Sequence, residues 1–328
     1  MSSKSLARPH ALRSLQAAAL ALAGLLASCG GGGGQVEPFK PTRILAFGDD
    51  LSTIESDGRK YSINAFKQVT AADGTLVDDP TTLDCARNPL WIQTGAGSFG
   101  LAFDRCLGTA TGASGQVRAQ VGQKVADLPA QISGVSGNVL GEKDLALVMI
   151  GMNDILELYG QYPTVDQNTL LAQAGNRGTA LGAQVNALAT SGPAVVVLTV
   201  PDIGKSPFAL AQNTSTGDAT RSNLISRLVE KFNNAMSVKL INDGRLIGLV
   251  YADIDSQNLV KFPATFGLTN VVDPACKTTA PLPGCTTATL VDTATSATWM
   301  WADNLRLSPA VQARMGLLAE SRARNNPF

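Results

Sequence analysis

The sequence predicts a three-layer α/β/α sandwich with a mostly parallel central sheet. Three observations carry this expectation. Short continuous apolar runs, such as Leu145-Ala146-Leu147-Val148-Met149-Ile150, read as strands covered on both faces. Longer stretches between them place apolar residues at helical spacing. Strands and helices then alternate, so each strand returns parallel to the last through a right-handed crossover. The chain has 328 residues, with 26 basic and 26 acidic side chains and 45% hydrophobic residues. Nothing in that balance points to nucleic acid, so no nucleic-acid partner is expected.

The first predicted strand is Ile44-Leu45-Ala46-Phe47, which runs into Gly48-Asp49-Asp50. Its carboxyl end delivers Asp50 to the sheet edge, where open α/β sheets bind ligands. Residues 61–88 alternate only weakly and read as an excursion over the top of the sheet. Residues 90–103 read as a short helix with glycine interruptions. Within 117–132, Gly122 marks a turn. The run 145–150 is the next strand and leads directly into Gly151-Met152-Asn153-Asp154.

Residues 169–190 have a helical pattern that Gly192-Pro193 stops. Residues 194–200 form a valine-rich strand. From 223 to 241, Leu224, Ile225, Leu228, Val229, Phe232, Met236 and Leu240 recur at helical spacing, and Asn242-Asp243-Gly244 ends the run. Residues 247–251 read as a further strand. Ser308 and Pro309 open the last helix, as cap and first helical residue.

The amino-terminal 28 residues read as an export signal. Lys4, Arg8 and Arg13 precede an apolar run, 17–27, too short to span a bilayer. The segment Leu26-Ala27-Ser28-Cys29 resembles the bacterial lipobox, which implies that Cys29 carries lipid. Residues 29–42, with Gly30 to Gly34, read as a flexible tether, and 43–328 as one large domain. Without 1–28, 23 basic side chains face 26 acidic ones. The expected location is the cell envelope, lipid-anchored, at the outer membrane of a Gram-negative bacterium. The resemblance implies outer-membrane sorting because Gly30, not aspartate, follows Cys29.

Cys85, Cys106, Cys276 and Cys285 remain, and an exported chain implies two disulfides among three possible pairings. The local pairs Cys85–Cys106 and Cys276–Cys285 are favoured. The second closes a proline-rich loop, 278–284. No metal site is expected, because the one histidine, His10, lies in the signal segment.

Gly48-Asp49-Asp50-Leu51, Gly151-Met152-Asn153-Asp154 and Asp303-Asn304-Leu305-Arg306 occur in the order of the motif blocks of the SGNH (GDSL) ester hydrolases, which this chain resembles. The resemblance implies their flavodoxin-like sandwich and a site at Asp50, Asp303 and Arg306. It also implies an oxyanion hole from Asn153 and the Gly122 amide, although Gly122 read alone is equally an ordinary turn glycine. Asp50 stands where the family has its nucleophilic serine, and Arg306 where it has its histidine. Arginine stays protonated and cannot accept the nucleophile's proton.

The expected function is therefore a lipoprotein pseudoenzyme that keeps a cleft for an acyl-ester or glycan ligand or a partner, with no cofactor. The alternatives are changed ester chemistry at Asp50 or Asp303, and a structural envelope protein. The complementary charges predict an Asp50–Arg306–Asp303 cluster.

Overall fold

The structure is a computed structural model that describes residues 38–137 and 139–328. The expected signal segment 1–28, Cys29 and most of the tether lie outside the described residues. In chain order the strands are β1 (Arg43–Gly48), β2 (Phe66–Thr70), β3 (Leu76–Leu83), β4 (Gly115–Val117), β5 (Asp144–Met149), β6 (Ala194–Leu198), β7 (Ile247–Val250), β8 (Asn270–Pro274) and β9 (Trp299–Trp301). The helices are α1 (Trp91–Gly97), α2 (Leu128–Ser133), α3 (Met152–Tyr159), α4 (Gln167–Thr190), α5 (Pro207–Thr216), α6 (Arg221–Lys239), α7 (Ala252–Lys261) and α8 (Pro309–Asn325).

Five strands form the central sheet in the order β4-β1-β5-β6-β7. All four pairings are parallel. Every residue of β5 and β6 is buried, which is why both read as unbroken apolar runs. Counted within the sheet, the order is 2-1-3-4-5, the flavodoxin-like arrangement. Chain direction across the sheet reverses between β1 and β5, and a ligand crevice opens at such a switch point.

Helices cover the sheet in two layers. α1 packs with α8, and α8 also meets β6 and β7. The other layer is built on α4 and α6, with α2 and α3 beside them. Phe47, Trp91, Phe232 and Trp301 are fully buried and anchor one contiguous core. The three-layer α/β/α sandwich expected from the sequence is the fold observed.

Several local expectations need correction. Residues 61–88 contain an antiparallel hairpin, β2–β3, whose side chains are mostly exposed. With no buried face there is no apolar alternation to read. Its base is held by Arg87, which donates to the Phe66 carbonyl and pairs with Asp78 at 2.7 Å. The edge strand β4 was not expected; it is only three residues long. α5, α7 and the parallel pair β8–β9 were also unassigned. Ser308 does precede α8 and Pro309 is its first residue, but the hydroxyl does not cap the helix. It donates to the Trp299 carbonyl instead, tying the helix start to β9.

Both local disulfides, Cys85–Cys106 and Cys276–Cys285, are formed. The second sits in a small satellite core with Ile63, Ala275, Trp299 and Ala302. Asn64 staples that core to the first excursion: its amide donates to the carbonyls of Pro283 at 2.9 Å and Cys285 at 3.1 Å. Among the described residues, no helix is long and apolar enough to cross a membrane.

Candidate functional site

The site is assembled where β1 and β5 end. β1 terminates at Gly48, whose φ is +155°. A Cβ there would lie 2.2 Å from the Met149 carbonyl oxygen, so only glycine lets the two strand ends close up. Gln131 of α2 clamps the same residue. Its amide accepts from the Gly48 N–H and donates to the Gly48 carbonyl, both at 2.8 Å. A side chain thus supplies the pairing that a further strand residue would make.

Beyond the end of β5, Gly151 has φ of +134°, and a Cβ would meet the Phe232 ring at 2.5 Å. This turn starts α3 and places Asn153 in its first turn. Asp49 bridges the two strand ends. Its Oδ2 accepts from the N–H groups of Gly151 at 3.1 Å and Met152 at 3.2 Å. These are two of the donors that a helix start leaves without an intrahelical partner.

Asp50, 1% exposed, gathers the remaining site residues. Its Oδ2 accepts from the Gly122 N–H and the Asn153 amide, each at 2.9 Å. Its Oδ1 accepts from Arg306 Nε at 3.1 Å and Nη2 at 2.5 Å. Arg306 Nη1 then reaches Asp303 at 2.8 Å, and the Arg306 N–H also donates to Asp303 at 2.6 Å. The guanidinium lies 5.8 Å from the centre of the Tyr61 ring. Asp50, Asp303, Arg306, Gly122 and Asn153 are therefore in one place. A carboxylate offers about four acceptor positions, and at Asp50 four donors fill them.

The loop carrying Gly122 hangs from α3. The Asn153 amide also donates to the Gln123 carbonyl at 3.1 Å, and the Val125 N–H donates to Asp154 at 2.9 Å. Asp154 is in turn met by Arg177 at 3.3 Å. Ser52, the nearest hydroxyl in sequence, is fully buried and accepts from the Trp91 indole at 3.0 Å. It is a packing residue.

The two adjacent carboxylates are pushed in opposite directions. Burial raises Asp50, but the hydrogen bonds from Asn153 and Gly122 and the charge of Arg306 outweigh it and hold its pKa below the usual value. Asp49 has no cation beside it. Burial first, and then the Asp50 charge, push it up to about 8. Burial works against the charge on Arg306, yet Asp303 and Asp50 raise its pKa further.

Asp49, Gln131 and Tyr61 were not singled out from the sequence. An ionisable residue directly after an apolar strand was the available signal for Asp49. Gln131 and Tyr61 had none, because both arrive by tertiary contact. Among the described residues, no group of three His, Cys, Asp or Glu side chains is placed to hold a metal ion.

No protein-family model matches the sequence, and no curated protein matches it. Among solved structures, the chain is similar to a variant of an acetyl xylan esterase from Geobacillus stearothermophilus. The identity is 14% and the TM-score 0.37, over 87% of this chain and 95% of that one.

Proposed function

We propose that this chain is a non-hydrolytic relative of the SGNH ester hydrolases that fills its own oxyanion hole. The observation that carries the reading is the pair of bonds from the Gly122 N–H and the Asn153 amide to Asp50 Oδ2. A serine hydroxyl at residue 50 would end one bond earlier and leave those donors free. The longer aspartate puts a full negative charge on them in the resting state. Donors that stabilise an existing anion give nothing to one that appears only in a transition state.

Direct attack by Asp50 on a substrate carbon is disfavoured by the same geometry. Every acceptor position is engaged, and the depressed pKa marks a weakly basic carboxylate. Arg306 accepts no proton. What remains for recognition is the outward part of Arg306, whose side chain is 24% exposed, beside Tyr61. An acyl-ester or acetylated-glycan ligand, or a partner, would be bound there without being cleaved.

The test is hydrolysis of p-nitrophenyl acetate by the wild-type chain and by the double variant D50S/R306H. The wild type is expected at the background rate, and the double variant above it, because the anion donors are then freed and a base is present. Robust wild-type turnover that Asp50→Asn abolishes would overturn the reading.

A further inference from the structure

The groove between α4 and α6 shares no residue with the Asp50 cluster. Gly178 and Gly182 of α4 lie against the backbone of α6: a Cβ at Gly178 would be 2.0 Å from the Phe232 carbonyl oxygen. The close approach brings the outer shoulders of the two helices together around a furrow of about 830 Å³. Small side chains line it, including Ala172 and Gly175 on α4, and Val238 of α6 is 88% exposed along it.

Three cations edge this apolar floor: Arg227, Lys231 and Lys239. None is in an ion pair among the described residues, although nine arginines elsewhere are paired with carboxylates. Among the described residues, Arg227 donates only to the neutral Gln167 amide, at 3.2 Å. No acidic residue lines the furrow, and Glu230 lies off its lining. Arg227, Lys231 and Val238 stand at i, i+4 and i+11, so they share one stripe of the helix. That stripe is about 16 Å long at the helical rise.

From this combination we propose that the α4–α6 groove binds a single-chain anionic amphiphile. Its head group meets Arg227 and Lys231 at one end of the furrow, and its chain lies along the strip from Ala172 towards Val238 and Lys239. The occupant is chosen on shape. A flat bilayer would touch only the shoulders of a concave furrow. A docked helix needs deep pockets for large anchoring side chains, and a floor of small residues offers none. An alkyl chain is narrow enough to lie on it, and burying its methylenes drives the association.

The test uses calorimetric titration of the purified protein with laurate, with lauroyl lysophosphatidate and with uncharged monolaurin, each below its micelle concentration. At least one anion is expected to bind one per chain, about tenfold or more tighter than monolaurin. R227Q/K231Q/K239Q should weaken that binding about tenfold and leave monolaurin unchanged. Ala172→Trp, at an exposed position, should fill the floor and abolish binding of all three. Circular dichroism checks that each variant is folded, and if Ala172→Trp is not, the triple surface variant decides alone. Comparing laurate with lysophosphatidate tells a carboxylate from a phosphate head. No saturable binding of either anion would overturn the proposal. So would monolaurin binding as tightly, or anion binding indifferent to the cation replacements.

Discussion

At residue 50 a carboxylate does with four hydrogen bonds what a hydroxyl could not, and Arg306 is the partner that makes it tolerable in a buried place. The attraction between them is offset in part by the desolvation of both charges. Removing one partner strands the other. Arg306→Ala should cost about 3 kcal/mol, the low end for a broken buried pair, because Gly122 and Asn153 still hold Asp50. The double variant D50A/R306A should cost less than the sum of the single changes. Urea unfolding of the four proteins measures the coupling, and additivity would mean that the pair is incidental.

Asp49 adds a pH dependence of the opposite sign. Its folded pKa of about 8 lies above its unfolded value. Its contribution to stability is therefore complete below about pH 4 and lost as pH rises towards 8. The loss approaches about 1.4 kcal/mol per pH unit inside that window. Asp50, with its depressed pKa, contributes above about pH 4 and loses its contribution as pH falls further. Asp49→Asn is uncharged throughout, so its unfolding free energy should be flatter between pH 4 and 8. An unchanged slope would place the titration elsewhere. Reading residues alone, complementary replacements at 50 and 306 made the charge cluster legible. That Gly122 and Asn153 donate to Asp50 was not, because it depends on side-chain reach across two strand ends.

Elements with two buried faces were the legible ones. β1, β5, β6 and β7 are apolar throughout or nearly so, and α4 and α6 carry long apolar stripes, so pattern located each within a few residues. Some of the elements that escaped are very short or lack a buried face to print a period, while in α7 two of the four buried residues, Asp255 and Ser256, are polar and break the apolar stripe. The hairpin β2–β3 is almost wholly exposed, and β4 has three residues. The clamp of Gln131 on Gly48 belongs to this scale, since it joins α2 to the end of β1. Gln131→Ala leaves the buried Gly48 N–H without the Gln131 acceptor, and the carbonyl with only the Gln120 N–H at 3.3 Å among the described residues, and should cost about 1–3 kcal/mol. Gln131→Glu keeps the size and the acceptor but cannot donate, so it should also destabilise. Thermal unfolding of both variants tests this, and a Glu variant as stable as wild type would remove the donor from the account.

Across the whole molecule, the excursion 61–88 and the proline-rich loop 278–284, which the central sheet does not hold, are each fixed by a covalent bond. Cys85–Cys106 secures the first, beneath which Lys60 donates to the carbonyls of Cys85, Arg87 and Asn88 at 2.5–2.8 Å. Cys276–Cys285 secures the second. Disulfides persist in oxidising compartments, so the four paired cysteines support the export expected from residues 1–28. The fifth cysteine, Cys29, lies outside the described residues and follows Leu26-Ala27-Ser28. We propose that it is lipidated and that 29–42 tether the domain to the outer membrane. A single acyl chain holds a protein only marginally, whereas two or more give stable anchoring, so a fully acylated Cys29 should retain all of the chain. Fractionation of cells carrying wild type and Cys29→Ser checks this. The wild type is expected with the outer membrane and the variant in the soluble periplasmic fraction. If Cys29→Ser stays equally membrane-bound, the anchor lies elsewhere in the chain.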